Sequence, residues 1–221
     1  KVFVGDPKQQ IYEWRGTINA FEQLPDKTLV LEFYKTFRMG EPATSQIATL
    51  TKTPMISGIP DTKTELHTNI MSASAQQKYT FLCRSWKGLL TSAQTLDSTL
   101  PPTARLWVHD YDKQIANIER LYERLTTYGS SAVSTDEYED DLPSFLMKLA
   151  PHELQAMRNA IESRRVFIKT QADIQLYTIH SFKGMEADVV RVCGDIDPSE
   201  EPNLYYVALT RGRQHIYRDH I

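Results

Sequence analysis

Short apolar runs alternate along this chain with longer amphipathic stretches, and this alternation limits the fold more than any other feature. The run Val189–Cys193 is almost wholly apolar, which is typical of a parallel strand covered on both faces. Ile174–Ile179 alternates as a strand does, whereas Tyr111–Thr127 has the i, i+3, i+4, i+7 apolar spacing of a surface helix. Strands that alternate with helices predict an α/β fold with a mostly parallel sheet.

The same patterns predict the remaining elements. We expect further strands at 1–4, 28–33, 79–83, 106–109 and 215–217, and helices at 17–24, 43–50, after Trp86, at 142–149, 151–164 and 203–210. Residues 51–78 are rich in Thr, Ser, Pro and Asn and are predicted to form a loop with one weak strand. Residues 129–141 are rich in Ser, Asp and Glu and are expected to be a solvated linker.

Composition excludes some classes of protein. Of the 221 residues, 41% are hydrophobic and 24% charged, as in an ordinary soluble globular protein, and no apolar run reaches the length of a membrane span. The first residues lack the features of a secretory signal and open in an apolar run, so Lys1 is interpreted as an internal point of a longer protein. The net charge of −3 does not indicate an extended nucleic-acid surface, although a protein that grips only a few phosphates can keep an acidic outer surface.

Two cysteines, Cys83 and Cys193, lie in apolar runs. Their number allows one disulfide. Buried free thiols in a reducing compartment are the favoured interpretation.

Polar, charged and aromatic residues crowd the segment that follows the predicted strand 1–4. Gln9 offers an amide that can bind a phosphate oxygen or position a water. Tyr12 and Trp14 offer faces for stacked bases, and Arg15 can contact a phosphate or stack itself. An aromatic pair in the core with a surface arginine is the structural alternative for this segment.

Three later segments have similar content. In Phe37-Arg38, an aromatic residue followed by arginine can stack an adenine and reach a terminal phosphate. The segment 178–186 carries hydroxyl, imidazole and ammonium groups that could cradle a phosphate, although no glycine precedes Lys183-Gly184 at the spacing of a Walker A loop. A helix at 203–210 ends in basic residues that either complement its dipole or supply an arginine to a γ-phosphate.

Together, and in this order, the four segments resemble the motifs III, IV, V and VI of the UvrD/Rep/PcrA family of superfamily 1 DNA helicases. They are GDPKQQIYEWRGT, TFRMG, TIHSFKGME and YYVALTRGR, and TFLCRS after Tyr79 resembles the family's motif IVa. The resemblance covers Lys1 to about Tyr217, but residues 51–172 match only in layout. It implies the C-terminal motor half: a RecA-like parallel sheet flanked by helices (domain 2A), preceded by the tail end of domain 1A.

The resemblance also implies a domain division. Residues 1–27 would end the first RecA-like motor domain, and 28–128 would begin the second. Residues 129–172 would form a reduced helical insertion, and 173–221 would complete the second domain with motifs V and VI. Because long family members insert a whole domain there, the resemblance supports translocation more strongly than strand separation.

Roles carried over from the family fall into two groups. At the phosphates of ATP, Gln9 would sense the γ-phosphate, Arg38 would touch it, and Arg211 would be the arginine finger. At the rest of the nucleotide, Phe37 would lie near the adenine, and Gly184 and Glu186 would lie at the nucleotide with Glu186 on the ribose. For single-stranded DNA, Tyr12, Trp14 and Arg15 would contact the strand, and Thr178 and His180 would hold its backbone. Gln9, Arg38 and Arg211 are therefore the predicted catalytic residues.

Some positions depart from the family pattern. Gln10 replaces the usual Ser and Phe37 the usual Tyr, as in the subgroup that contains the F-box DNA helicases and small UvrD-like antiviral-defence helicases. Gly212 replaces Ala after the motif VI arginine, which predicts a slightly looser helix end. No Walker A loop or acidic Walker B strand end occurs in this sequence, so the Mg²⁺ ligands are expected in a first motor domain and this chain alone should not hydrolyse ATP.

The favoured hypothesis is therefore half of an intracellular, ATP-dependent DNA helicase or translocase that moves 3′ to 5′ on single-stranded DNA. Its expected partners are ATP with Mg²⁺, single-stranded DNA and the first motor domain. The alternative hypothesis is a non-hydrolysing DNA-binding scaffold subunit with a relic motor. A third hypothesis is a helicase joined to a nuclease, for which this sequence contains no cluster of nuclease carboxylates.

Overall fold

A computed structural model describes residues 1–54, 56–68, 78–128 and 150–219, which divide into two compact units. The first unit comprises Lys1–Ser72 and Ile179–Ile221, and the second comprises Ala73–Thr178. The described strands are β1 (Glu41–Pro42), β2 (Lys63–His67), β3 (Tyr79–Cys83), β4 (Leu106–Val108), β5 (Ile174–Thr178), β6 (Ala187–Val192) and β7 (Gly212–Arg218). The described α-helices are α1 (Ala43–Thr51), α2 (Trp86–Thr99), α3 (Tyr111–Tyr128), α4 (Pro151–Glu162), α5 (Ile179–Phe182) and α6 (Pro202–Leu209).

Four parallel strands form the sheet of the first unit in the order β1-β2-β7-β6. β7 is central, pairing Ile216 with Leu66 of β2 on one side and with Val190 of β6 on the other. Ile216 and Val190 are fully buried, as expected for parallel strands covered on both faces. Helix α1 packs on β1 and β2, and α6 packs on β6, α1 and α5.

In the second unit, β5 pairs in parallel with both β3 and β4. Every residue of β3 is buried, and α2 packs on β3 and β5. The nearly buried side chain of Arg164 caps the C-terminal end of helix α2. Its guanidinium donates to the carbonyls of Asp97 and Leu100 and to the Asp97 carboxylate. This arginine satisfies carbonyl groups that a helix end leaves without an intrahelical partner.

Most sequence expectations are confirmed, the α/β class with parallel strands among them. The strands predicted at 79–83, 106–109, 174–179, 189–193 and 215–217 and the helices at 43–50, after Trp86, 111–127, 151–164 and 203–210 are present with small shifts of their ends. The weak strand expected within 51–78 is β2. The predicted linker at 129–141 and helix at 142–149 lie outside the described residues, and the predicted domain division stays a prediction.

The two strands predicted near the N-terminus are wrong. Residues 1–4 and 28–33 are extended but belong to no strand, and Val2 and Phe33 are 90% and 84% exposed. A strand is stabilised by hydrogen bonds to a neighbour, and within the described ranges no strand pairs with either segment. The helix predicted at 17–24 is reduced to the 3₁₀ turn Ala20–Gln23, capped by the Asn19 side chain.

The interpretation of Gly212 is also wrong. Helix α6 ends at Leu209, and Gly212 instead begins β7. A Cβ atom at this position would lie 2.4 Å from Cγ1 of the fully buried Ile216, so glycine is required by close packing at the start of the strand.

Both cysteines are free thiols, as favoured from the sequence, with Cys83 buried. No helix in the described parts of the chain has the length and apolar content needed to cross a bilayer.

Gly40 gives a test of the fold in the first unit. A Cβ atom here would lie 1.7 Å from the Thr62 carbonyl oxygen, and the Gly40 N–H donates to the Thr64 hydroxyl at 2.9 Å. We expect Gly40→Ala to lower the free energy of unfolding by about 3 kcal/mol, because backbone must move. The control Gly16→Ala meets no atom within 4 Å but has φ +72°, and should cost only about 1 kcal/mol. Equal losses in urea denaturation would contradict the close approach.

Candidate functional site

A cavity of about 500 Å³ lies within the first unit. Its polar lining includes Asp6, Gln9, Arg38 and Thr210, and its apolar lining includes Val30, Leu31, Met39, Ile47, Ala48 and Ile56. The volume and the mixture of apolar and polar lining side chains are within the range of small-molecule sites. Two of the three predicted catalytic residues, Gln9 and Arg38, therefore lie at one cavity.

Asp6 organises the part of the cavity that contains Gln9. Its side chain caps the 3₁₀ turn Pro7–Gln9 by accepting from the Lys8 backbone N–H at 2.9 Å. Its second oxygen accepts from the Gln9 amide at 3.0 Å and from the Tyr206 hydroxyl at 3.3 Å. The Gln9 side chain is thus held by a carboxylate that is itself fixed to helix α6.

The Tyr206 hydroxyl stays protonated in this arrangement. Burial, with a smaller contribution from the neighbouring Asp6 carboxylate, raises the pKa of Tyr206 to about 12. The phenol is therefore a hydrogen-bond donor to Asp6 at neutral pH.

Arg38 joins the cavity to the segment that contains Glu186. Its Nε donates to Glu186 Oε2 at 2.9 Å, and one terminal nitrogen donates to the Thr210 carbonyl at 2.8 Å. The other oxygen of Glu186 accepts from Arg213 at 3.2 Å. Arg38, followed by Arg213, holds the pKa of the Glu186 carboxyl below its usual range, so this side chain is a carboxylate between two cations.

Arg211 is the largest fully buried side chain of the described residues, with 1% of its surface exposed. Its guanidinium donates to the carbonyl oxygens of Val207 and Met185 and to the Thr210 hydroxyl. Burial, and then repulsion from Arg38, lowers the pKa of Arg211 to about 10, which leaves it charged at neutral pH. Arg211 adjoins Thr210 but does not line the cavity, so it would have to exchange these acceptors to reach a bound phosphate.

A second cluster surrounds Tyr12 on the same segment as Gln9. The Tyr12 hydroxyl donates to the His180 carbonyl at 3.4 Å, and the His180 Nε2 donates to the Ile11 carbonyl at 2.9 Å. Lys183 donates to the Gln9 carbonyl at 2.7 Å, and its ammonium lies 5.1 Å from the centre of the Tyr12 ring. Arg15 lies over the same ring at 5.6 Å. The segment 9–15 is therefore bonded directly to the segment 180–183.

The remaining predicted site residues are placed differently. Phe37 is 84% exposed and does not line the cavity. Gly184 has φ +86°, a left-handed conformation in which glycine is unstrained. Thr178 ends β5 in the second unit. Trp14 lies in the 3₁₀ turn Glu13–Arg15, and its side chain is outside the described part of the structure.

Sequence reasoning did not select Asp6, Tyr206 or Asn203, whose side chains connect the segments, and it assigned the Lys183 ammonium to a phosphate rather than to the Gln9 carbonyl. Asn203 donates to the Gln10 carbonyl at 3.2 Å and so fastens the first segment to the start of α6. Asp6 directly before a proline was a recognisable capping signal. The partners of Tyr206 and Lys183 are about 200 and 174 residues away along the chain, and no local pattern indicates them.

Parallel strands, flanking helices and a cavity lined by a glutamine and an arginine define a RecA-like α/β domain. Residues 22–218 match the UvrD-like helicase C-terminal domain, and the chain belongs to that family. It is also similar to F-box DNA helicase 1 of Gallus gallus, with 25% identity over 264 aligned positions that cover 96% of this chain. The chain spans about a quarter (26%) of the length of that relative.

Lys183 tests the connection between the two segments. We expect Lys183→Met to speed hydrogen exchange of the Gln9, Gln10 and Gly16 amides by about 10-fold or more, because a charged hydrogen bond to the Gln9 carbonyl is lost. The control Lys87→Met removes an exposed ammonium on α2 and should leave these amides unchanged. Unchanged exchange in Lys183→Met would mean that Lys183 does not hold the segment.

Proposed function

We propose that this chain is the C-terminal half of an ATP-dependent motor that moves 3′ to 5′ along single-stranded DNA. The observation that carries the proposal is that one short segment, 9–15, contacts both the cavity and the residues His180 and Lys183. Gln9 lies at the cavity with Arg38, while the Gln9 and Ile11 carbonyls and the Tyr12 ring are bonded to His180 and Lys183. A change at the nucleotide would therefore be transmitted through a few bonds to residues proposed to contact DNA.

The volume and the lining of the cavity support a nucleotide as its ligand. Its apolar lining offers a surface for a base, and Arg38 supplies a cation. Arg38 now donates to the Glu186 carboxylate and to the Thr210 carbonyl, and phosphate oxygens would replace those acceptors. Glu186, released from Arg38 but still held by Arg213, would then be available to a ribose hydroxyl.

Arg211 would act in the same step. Its charge is retained in a buried position behind Thr210, where a cation acts on phosphate charge with little screening by water. Phosphoryl transfer is promoted chiefly by positioning and charge stabilisation, so two arginines and the Gln9 amide are a sufficient contribution from this half. ATP would bring Mg²⁺, whose ligands we assign to a first motor domain.

DNA would be held by Tyr12, Trp14, Arg15, Thr178 and His180. Base stacking on aromatic rings tolerates any sequence, as a translocase requires. The side chains of Lys183 and Arg15 already lie over the Tyr12 ring, so the ring is surrounded by cations that would attract the phosphate backbone.

Arg38 gives the sharpest test of the nucleotide role. In the complete protein we expect Arg38→Ala to reduce DNA-stimulated ATP hydrolysis by about 10³-fold or more, the lower end of the effect of arginine fingers. The matched control is Arg213→Ala, because Arg213 pairs with the same carboxylate but lies outside the cavity lining. It should retain most of the wild-type rate, measured with and without single-stranded DNA.

Two results would contradict the nucleotide role. Equal rates in the two variants would show that Arg38 acts only through its ion pair with Glu186. A wild-type protein that binds single-stranded DNA without hydrolysing ATP would support the alternative of a non-hydrolysing DNA-binding scaffold.

Trp14 tests the DNA role. We expect Trp14→Ala to weaken single-strand affinity by roughly 5-fold or more, since one stacked base contributes about 1–3 kcal/mol. ATP hydrolysis without DNA should remain, while its stimulation by DNA should fall. The control Phe167→Ala removes an exposed aromatic ring of the second unit to which the family resemblance gives no role. Unchanged DNA stimulation in Trp14→Ala would remove Trp14 from the DNA site.

A further inference from the structure

Two histidines and a glutamate converge on the sheet of the first unit, on strands that the proposed function does not use. Glu65 and His67 are two residues apart on β2, so their side chains leave the same face of the strand. His215 is the register partner of Glu65 on the adjacent β7. The pairing of the two strands therefore brings all three side chains to one place.

The ligand atoms of these side chains face one another. His67 Nε2 lies 3.3 Å from His215 Nδ1, and each of these nitrogens lies 3.5 Å from the same oxygen, Oε2 of Glu65. Two imidazole nitrogens and a carboxylate oxygen thus form a nearly equilateral triangle. This arrangement depends on the tertiary structure, because His67 and His215 are 148 residues apart.

The size of the triangle matches the coordination sphere of zinc. Zinc binds histidine nitrogen and carboxylate oxygen at about 2.0–2.2 Å, usually with tetrahedral geometry. Two ligands at such distances, separated by the tetrahedral angle, lie about 3.3–3.6 Å apart. The three separations are therefore those expected of ligand atoms around one ion on the axis of the triangle.

Neighbouring side chains hold two of the three ligands in position. Lys63 forms an ion pair with Oε1 of Glu65, which leaves Oε2 directed at the histidines. The ring of Tyr217 stacks on His67 with 4.4 Å between centroids and 12° between planes. Such outer contacts orient metal ligands and contribute to metal affinity.

We propose that Glu65, His67 and His215 bind one Zn²⁺ ion, which joins β2 to β7. About a third of each side chain is exposed (33%, 32% and 34%), so the ion can enter from solvent and a water can occupy the fourth position. None of the three residues lines the nucleotide cavity. The zinc site is therefore independent of the proposed motor function, and its role is to stabilise the central strand β7, which begins directly after Arg211.

A shared proton gives the competing explanation of the same geometry. One imidazole N–H could donate to the other ring, with the Glu65 carboxylate beside both rings. That arrangement needs no metal, and it predicts no zinc uptake at neutral pH.

The test is zinc binding by the complete protein, purified with a chelator and dialysed without nucleotide. We expect the wild type to bind one more Zn²⁺ than His215→Asn. Addition of Zn²⁺ to the wild type should slow hydrogen exchange of the β2 and β7 amides. Glu65→Gln, which keeps the shape of the side chain, should weaken that binding by about 10-fold or more, since even the loss of an outer partner costs 10–100-fold. The control His152→Asn, an exposed histidine on α4, should bind like wild type.

Cobalt distinguishes this site from unspecific surface binding. Co²⁺ in a tetrahedral site should give visible absorption bands in the wild type and in His152→Asn, and the bands should be absent in His215→Asn. The proposal is overturned if the wild type takes up no zinc at this site, or if His215→Asn and Glu65→Gln bind zinc as tightly as His152→Asn. Because neither ATP nor DNA enters these measurements, failure of the motor proposal would not affect their outcome.

Discussion

The burial of helix α6 is the constraint on which the first unit depends. Its residues 204–209 are all buried, so the helix can accept no rearrangement that would expose them. From this fixed position Tyr206 and Asn203 bind the segment that contains Asp6 and Gln10, and the chain leaves the helix through Thr210 and Arg211. Two stretches with little regular structure of their own, the segment of Asp6 and Gln10 and the exit through Thr210 and Arg211, are thereby positioned by one rigid element.

The cations of the candidate site already have hydrogen-bond acceptors within the chain. Arg38 has a carboxylate and a carbonyl as partners, and Arg211 has two carbonyls and a hydroxyl. A buried guanidinium without acceptors would be costly, and these bonds allow the charges to be kept close together without a ligand. A phosphate would compete with internal acceptors, so binding would be coupled to a change in the contacts of Glu186 and Thr210.

Strands could be predicted from local sequence where a neighbouring strand is present to pair with them, and not where it is absent. Strands β3, β5 and β6 were predictable because they pair within the described residues and their apolar runs are buried there. The runs at 1–4 and 28–33 have similar composition, yet they are exposed because no described strand lies beside them. Apolar composition indicates that a segment is suited to burial. Burial itself depends on a neighbouring strand, which the local sequence does not specify.

The sequence by itself determined the α/β class, most of the elements and the motif residues, since periodicity, turn residues and family motifs are local properties. Only the tertiary structure decided which of those residues meet. It brought Gln9 and Arg38 to one cavity, left Phe37 exposed and buried Arg211. It also joined His67 to His215 across β2 and β7, because strand register brings together side chains that are far apart along the chain.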